Sequence, residues 1–403
     1  MNRKIQIFLV FLLTGIYIKL FDARFINESV LNYLLFFTLI VVVAMSLPYI
    51  IVKNRGFVFP IQLLIASILF SIVMSNLYWD QDILDSLIVT APFLIFMLFF
   101  YLKRIRFPVE VLERIIIIYG VLYILLYFFQ FAQGPAVYFG KPLWGDEFQE
   151  IRGVTRIIFP GGGIFVLMTF VALNKFTSEK KYRGLWLLLI ILGLIIPLMQ
   201  VTRQFILGIF LIYLYHVIRN FTISQKTLIF GALIVLFFSL QYIHHPIIDG
   251  LLESTQTDIR SGGNYIRVLA GEYFLTDFSP NTITQIFGNG VPYFGESNYA
   301  FFVTELGETH EFFLSDVGII AVYAMFGVPA IIGFIIIWVK SFTIPLPKEY
   351  QYLKYYLWLV LFTSLTWYST YHYHYLLVTV FVLYMYQSIY EDENSKKTKH
   401  NTM

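Results

Sequence analysis

Twelve apolar runs dominate this chain and fix its class before any motif is read. They begin near Ile5, Val30, Phe57, Leu84, Val111, Ile157, Gly184, Phe205, Thr227, Val317, Tyr352 and Tyr375. About 20 apolar residues cross a hydrocarbon core roughly 30 Å thick. Only 13% of the residues are charged, against about a quarter in soluble domains. The expectation is an all-α polytopic membrane protein of about 12 transmembrane helices. It would form one membrane domain over 1–390, followed by a polar cytoplasmic tail over 391–403. The first apolar run follows Asn2-Arg3-Lys4 without a small-residue cleavage site, so it reads as a retained span. With no cysteine, disulfide and thiol chemistry are excluded. The net charge of +3 is too small to suggest nucleic acid.

Basic residues orient the spans, because cytoplasmic loops collect Lys and Arg. With the N-terminus inside, 20 of the 28 Lys and Arg fall on the cytoplasmic side, while 18 of the 25 acids fall outside. Every loop agrees with its neighbours, and both ends are expected in the cytoplasm. Two outward loops are long: roughly 133–156, and 244–311 between spans 9 and 10. The second far exceeds the usual loop length, and such loops are functional or disordered. Tyr265, Ile266, Val268, Leu269, Tyr273, Phe274 and Leu275 recur at helical spacing within it, with Asn264 as a cap and Ser279-Pro280 beyond the end. "IFGNGVPYFG" (286–295) then reads as a glycine-rich turn. A folded external lid is expected, in which Tyr293, Phe294 and Tyr299 are placed to stack on sugar rings.

The stretch 184–218 is too long for one span and has basic residues at both ends, Arg183 and Arg219. It reads as a helical hairpin turning at "MQVTRQ", which puts Arg203 near the outer surface at the head of the returning helix. An arginine there either snorkels to headgroups or faces an outward polar cavity, where a helix N-terminus and a guanidinium together suit phosphate. Arg152, Arg156, Arg260 and Arg267 are also external. Guanidinium is favoured where planar, bidentate recognition of phosphate or carboxylate matters. The competing reading is pairing with nearby acids such as Glu150, Asp258 and Glu272.

Three further segments stand out. In "RGVTRIIFPGGG" (152–163), Pro160 and three glycines allow close approach of a backbone or ligand, but the Lys-Ser/Thr of a nucleotide-binding loop is missing. "ETHEFFLSDVGIIAVYAMFGV" (308–328) closes the large loop, with His310 and Glu311 at the membrane surface. A histidine there is either a structural hydrogen-bonding group or a general base. In "TYHYHY" (370–375), His372 and His374 would point about 200° apart on a helix, which argues against a shared metal and for an interfacial aromatic belt.

With these residues in view, the chain resembles the O-antigen polymerase/O-antigen ligase family, the Wzy-type bacterial polysaccharide polymerases in particular. "RGVTRIIFPGGG" is similar to the family's Arg-Gly element entering a span, "VTRQFILG" to its Ser/Thr-Arg element, "FGNGVP" to its Gly-x-Gly turn, and "THEFFLSDVG" to its His-Asn element. His-Asn reads His310-Glu311 here, which leaves the base role open between them. The resemblance covers roughly 152–333. It implies transfer of a glycan from undecaprenyl diphosphate to a sugar hydroxyl of a lipid-linked acceptor, at the external face of the bacterial plasma membrane. Arg203 and Arg267, with Arg152 or Arg156, would meet the diphosphate's developing charge without a metal or other cofactor. Arg260 and Tyr293 would add glycan or diphosphate contacts, and His310 or Glu311 would activate the acceptor. A chain-length regulator and a flippase of the same pathway are the implied partners. Within the family the alternative is a ligase delivering glycan to a lipid core, and outside it a transporter of the lipid-linked glycan.

Overall fold

The computed structural model describes residues 2–52, 55–142, 145–151, 154–240, 250, 256 and 259–401. Among the described residues the fold is all-helical apart from one two-residue antiparallel ribbon, β1 Glu150–Ile151 with β2 Val154–Thr155. The first half of the chain forms α1 Arg3–Tyr17, α2 Glu28–Ser46, α3 Val58–Trp79, α4 Ile83–Thr90, α5 Leu98–Ile105, α6 Val109–Ala132 and α7 Gly162–Ser178. There follow α8 Arg183–Met199, α9 Arg203–Asn220, α10 Ile223–Leu240, α11 Ile266–Thr276, α12 Thr282–Phe287 and α13 Asn298–His310. The chain closes with α14 Ile319–Thr343, α15 Tyr352–Thr363 and α16 Tyr373–Asn401. Each apolar run of the sequence coincides with one helix, except that Ile83–Ile105 combines α4, a 3₁₀ stretch and α5. Among the described residues, five helical units are long and apolar enough to cross a membrane: Glu28–Tyr49, Val58–Trp79, Ile83–Ile105, Val109–Ala132 and Ile319–Thr343. The polar tail begins as a continuation of α16, tied back by an ion pair between Lys103 and Glu391.

Two helices form the centre. Every residue of α7 from Gly163 to Asn174 is buried, as is α16 from His374 to Tyr386. A helix that is apolar all round is an interior helix, and the others pack around this pair. Their outer faces keep large apolar side chains exposed, among them Phe8, Phe37, Ile40, Leu125 and Leu188. A surface of that kind suits lipid and is a liability in water. Lipid provides little hydrophobic drive between helices, so close packing and polar staples hold them together. A Cβ on Gly120 of α6 would lie 2.5 Å from the Met168 Cβ of α7, so glycine sets that contact distance. Many tyrosines are interior: Tyr17 donates to the Pro92 carbonyl at 3.0 Å, Tyr356 to Tyr375 at 3.1 Å, and Tyr386 to Ile344 at 2.7 Å. Each ring fills the bundle while its hydroxyl satisfies a carbonyl near a helix end.

The helix α14 is broken at Gly327, whose φ of 75° and ψ of −172° lie outside the helical region. Pro329 has no N–H to give the Met325 carbonyl. Hydrocarbon supplies no donors, so the freed carbonyls need protein ones. They find them: Asn289 gives both its backbone N–H and Nδ2 to Ala324, each at 2.9 Å, and Gly290 N–H reaches Met325 at 2.8 Å. The Ser67 hydroxyl of α3 serves Phe326. Asn289 is wholly buried and fully employed, since its Oδ1 accepts from the Trp79 indole at 3.0 Å and its Nδ2 also reaches the Ser279 hydroxyl at 2.9 Å. The glycine-rich turn expected at 286–295 is therefore a plug seated in a broken helix, and this part of the large loop is woven into the bundle.

Candidate active site

The helical hairpin turns where the sequence predicts. Tyr213 of α9 donates to the Ile190 carbonyl of α8 at 3.1 Å, and residues 200–202 join the two helices. Val201 takes φ 55°, a conformation that β-branched residues avoid. Strain of this kind persists only where the surroundings over-determine it, and it gathers at functional sites. Here it sets Gln200 and Thr202 inward and Arg203 at the head of α9. Arg156 Nε donates to the Gln200 carbonyl at 3.1 Å, and Gln200 Nε2 donates to the Tyr123 hydroxyl at 2.8 Å. Two of the expected arginines thus meet at one turn.

A second pair forms nearby: an Arg267 guanidinium nitrogen lies 3.5 Å from Asp316 Oδ1, joining α11 to the segment before α14. Gly318, at φ 55°, makes this possible, because a Cβ there would lie 2.0 Å from the Ser364 carbonyl oxygen. The Tyr371 hydroxyl fastens the same segment by donating to Leu314 at 2.7 Å. Tyr368 links the two pairs. Burial pushes its phenol up to about 12, while Arg156 pulls it down and Asp316 pushes it further up. Both charges therefore act on one hydroxyl. Tyr368 also contacts His372, with ring centroids 4.4 Å apart.

The "TYHYHY" segment departs from expectation. His372 precedes α16, so the 200° separation on a helix does not apply, and its ring lies 4.2 Å from that of His374. The pair is interior, not an aromatic belt facing lipid. Burial, and then the Lys19 ammonium, hold His372 at about 3, so it is neutral at ordinary pH. His374 is 9% exposed, and its Nε2 has no hydrogen-bond partner among the described residues. It lines a cavity of about 30 Å³ with Tyr123, Gln200, Thr202 and Tyr368. Of the three glycines of 161–163, Gly163 serves this contact: a Cβ there would lie 2.6 Å from the His374 carbonyl oxygen. No group of three or more His, Cys, Asp or Glu among the described residues converges as metal ligands.

His310 is the last residue of α13 and is exposed, its ring 5.5 Å from Phe312, which in turn packs on Tyr273 of α11 at 5.6 Å. The end of α13 is thereby tied to the helix that bears Arg267. Glu311 follows as the left-handed cap of α13 and is also exposed. Arg260 lies exposed in a short helical stretch at 259–261, and Arg152 falls outside the described residues. Tyr293 is half-buried and anchored through its backbone N–H to Gln81 Oε1 at 2.8 Å. Tyr299 is fully buried and stacks on Trp79 at 4.6 Å, so it is a core residue and not a sugar platform. The cap of α11 is also corrected: Tyr265 is the N-cap and Asn264 lies in the preceding 3₁₀ turn. Asp316, Tyr368 and Gln200 carry no site signal in the sequence, and the histidine pair reads there as part of an aromatic belt. The available signal was two histidines at an apolar end that no lipid-facing belt requires.

No family model matches this chain, and no curated protein matches it.

Proposed function

We propose that this protein is a membrane glycosyltransferase that polymerises surface-polysaccharide repeat units such as those of O-antigen, capsule or exopolysaccharide. It would move a glycan from undecaprenyl diphosphate to a sugar hydroxyl of a lipid-linked acceptor. One observation carries the reading: Arg156 is bonded to the turn that leads into Arg203, that turn lines a cavity with Tyr368, and Asp316, paired with Arg267, acts on the same phenol. The leaving group is a lipid diphosphate, and guanidiniums fixed before the reaction stabilise its developing charge at no reorganisation cost. His310 or Glu311, at the end of α13, is the proposed base. In this reading the twelve helical units all cross the bacterial plasma membrane, both termini are cytoplasmic, and the arginines face outward. The distribution of basic residues supports that orientation.

Deletion in the parent cell separates the alternatives. Loss of the polymerase leaves single repeat units on the lipid carrier. Loss of a ligase leaves full-length polymer on the carrier, and loss of a flippase leaves single units on the cytoplasmic leaflet. Either of the latter outcomes would overturn the polymerase reading. At the site itself, Arg203→Lys keeps the charge but loses the planar fork. It is expected to lower transfer about a hundredfold with insertion and melting temperature unchanged. Normal polymer yield from Arg203→Ala would remove this residue from the site.

A further inference from the structure

The segment joining α1 to α2 has four consecutive residues in the left-handed region: Lys19, Leu20, Phe21 and Asp22, at φ 50°, 49°, 63° and 50°. None is glycine, and for Lys19, Leu20 and Phe21 this backbone is unfavourable because Cβ crowds the following carbonyl oxygen. The surroundings impose the shape. Gly140 N–H bonds the carbonyls of Phe21 and Asp22 at 3.0 and 3.1 Å, Arg24 N–H bonds Tyr138 at 2.9 Å, and Ala23 bridges Phe139. The Phe21 ring is buried against Tyr119, Tyr123 and Phe159. A left-handed turn so braced holds Lys19 and Asp22 in fixed directions.

What it frames is a cavity of about 420 Å³, lined by Lys19, Asp22, Arg24, Lys141 and Tyr373 among others. Lys141 is offset by Glu28 at 3.3 Å, which leaves Lys19 and Arg24 facing Asp22. Three basic side chains, Lys19, Arg24 and Lys141, face two carboxylates, Asp22 and Glu28, so the cavity lining is net cationic, and burial raises the Asp22 carboxyl above its usual range despite Lys19 beside it. Below it, between α1 and α2, runs an apolar furrow of about 250 Å³. Leu31 of the polar cavity and Leu34 of the furrow lie one turn apart on α2, and Ile16 of the furrow lies three residues before Lys19 of the cavity. From Leu34 to Met45 the furrow runs about 16 Å.

A cationic pocket over an apolar furrow matches the head and chain of a phosphorylated long-chain lipid. We infer that the left-handed turn and the α1–α2 furrow form a second lipid site, which holds the acceptor's undecaprenyl diphosphate. The assignment rests on the transferase reading above. Its position suits that role: the Lys19 ammonium lies 5.5 Å from the Tyr373 ring centroid, and Tyr373 lies between His372 and His374, the pair that borders the arginine site. Donor and acceptor heads would border the same histidine segment.

Native mass spectrometry of the purified chain with undecaprenyl diphosphate tests this by stoichiometry. The wild type is expected to bind two lipids. Lys19→Ala combined with Arg24→Ala should bind one, and Arg267→Ala combined with Arg156→Ala should bind one. Unchanged binding in the Lys19/Arg24 variant overturns the second site. If the transferase reading alone is wrong, the wild type binds a single lipid and the Lys19/Arg24 variant binds none. Undecaprenol, which lacks phosphate, should bind the furrow at least tenfold more weakly, and equal binding would refute the phosphate head. A photo-crosslinking residue at Phe37, in an otherwise native chain, should capture the prenyl chain; its failure to do so contradicts the furrow without depending on any variant's stability.

Discussion

Purified His310→Ala is expected to bind the lipid-linked donor as the wild type does and to transfer glycan about a hundredfold more slowly, or worse. Sugar hydroxyls are weak nucleophiles at neutral pH, and a histidine ordinarily titrates in the range where partial proton removal is most effective. The exposure of His310 at the end of α13 leaves it accessible to an acceptor, and its contact with Phe312 ties it to the helix that bears Arg267. The structure adds a rival in Asp316, whose carboxylate pairs with Arg267 at 3.5 Å. Single-turnover transfer, with donor binding measured separately, distinguishes the two. If Asp316 only holds Arg267, Asp316→Asn weakens donor binding and transfer together. If Asp316 is the base, Asp316→Asn loses transfer with binding intact while His310→Ala turns over normally. Normal turnover of a well-folded His310→Ala protein would leave Asp316 and Glu311 as the candidates.

Gly288→Val is expected to prevent accumulation of a monodisperse protein in detergent, or to lower its melting temperature more than any exposed glycine substitution. A side chain there meets two obstacles. The backbone φ is 83°, and a Cβ would lie 2.3 Å from the Met325 carbonyl oxygen. That neighbour is the carbonyl orphaned by Pro329, so the segment cannot shift without unmaking the hydrogen bonds that satisfy the broken helix. Losing several buried bonds along with the strain moves the cost into the exceptional range above about 4 kcal/mol. Gly134→Val is the control, because φ is 67° there but nothing lies within 4 Å of the added Cβ. It should cost only the conformational term of about 1–2 kcal/mol. Equal stability losses at the two positions would mean that the docking of 288–290 on α14 contributes nothing beyond backbone strain.

The class of the protein and the existence of its helices were legible in the sequence because they depend on local quantities. Apolar runs of sufficient length need no partner to be read, and each one became a helix or a helix pair. The hairpin at "MQVTRQ" was legible for a similar reason, since the apolar run between Arg183 and Arg219 is too long for a single span and has to turn within it. Arg203 at the head of α9 follows from that turn alone.

Tertiary structure decided which charged and polar groups share a site. Arg156 and Gln200 are 44 residues apart, and the residues of the Arg267–Asp316 pair are 49 apart in the chain, so no spacing rule joins them. The histidines of "TYHYHY" do not follow a helical wheel, because His372 stands one residue before the helix begins at Tyr373. Tyr299 was misread because an aromatic ring near a membrane surface is equally suited to lipid, sugar or core, and only the Trp79 indole 4.6 Å away selects the core. The left-handed turn at Lys19–Asp22 had no sequence signal at all, since it lacks the glycine or asparagine that usually marks such backbone. Its conformation is imposed from outside, by Gly140, Tyr138 and the aromatic cluster around Phe21. Sequence by itself determined where the chain is helical and greasy. Packing determined where it is polar in the interior, because a buried polar group persists only if distant residues arrive to satisfy it.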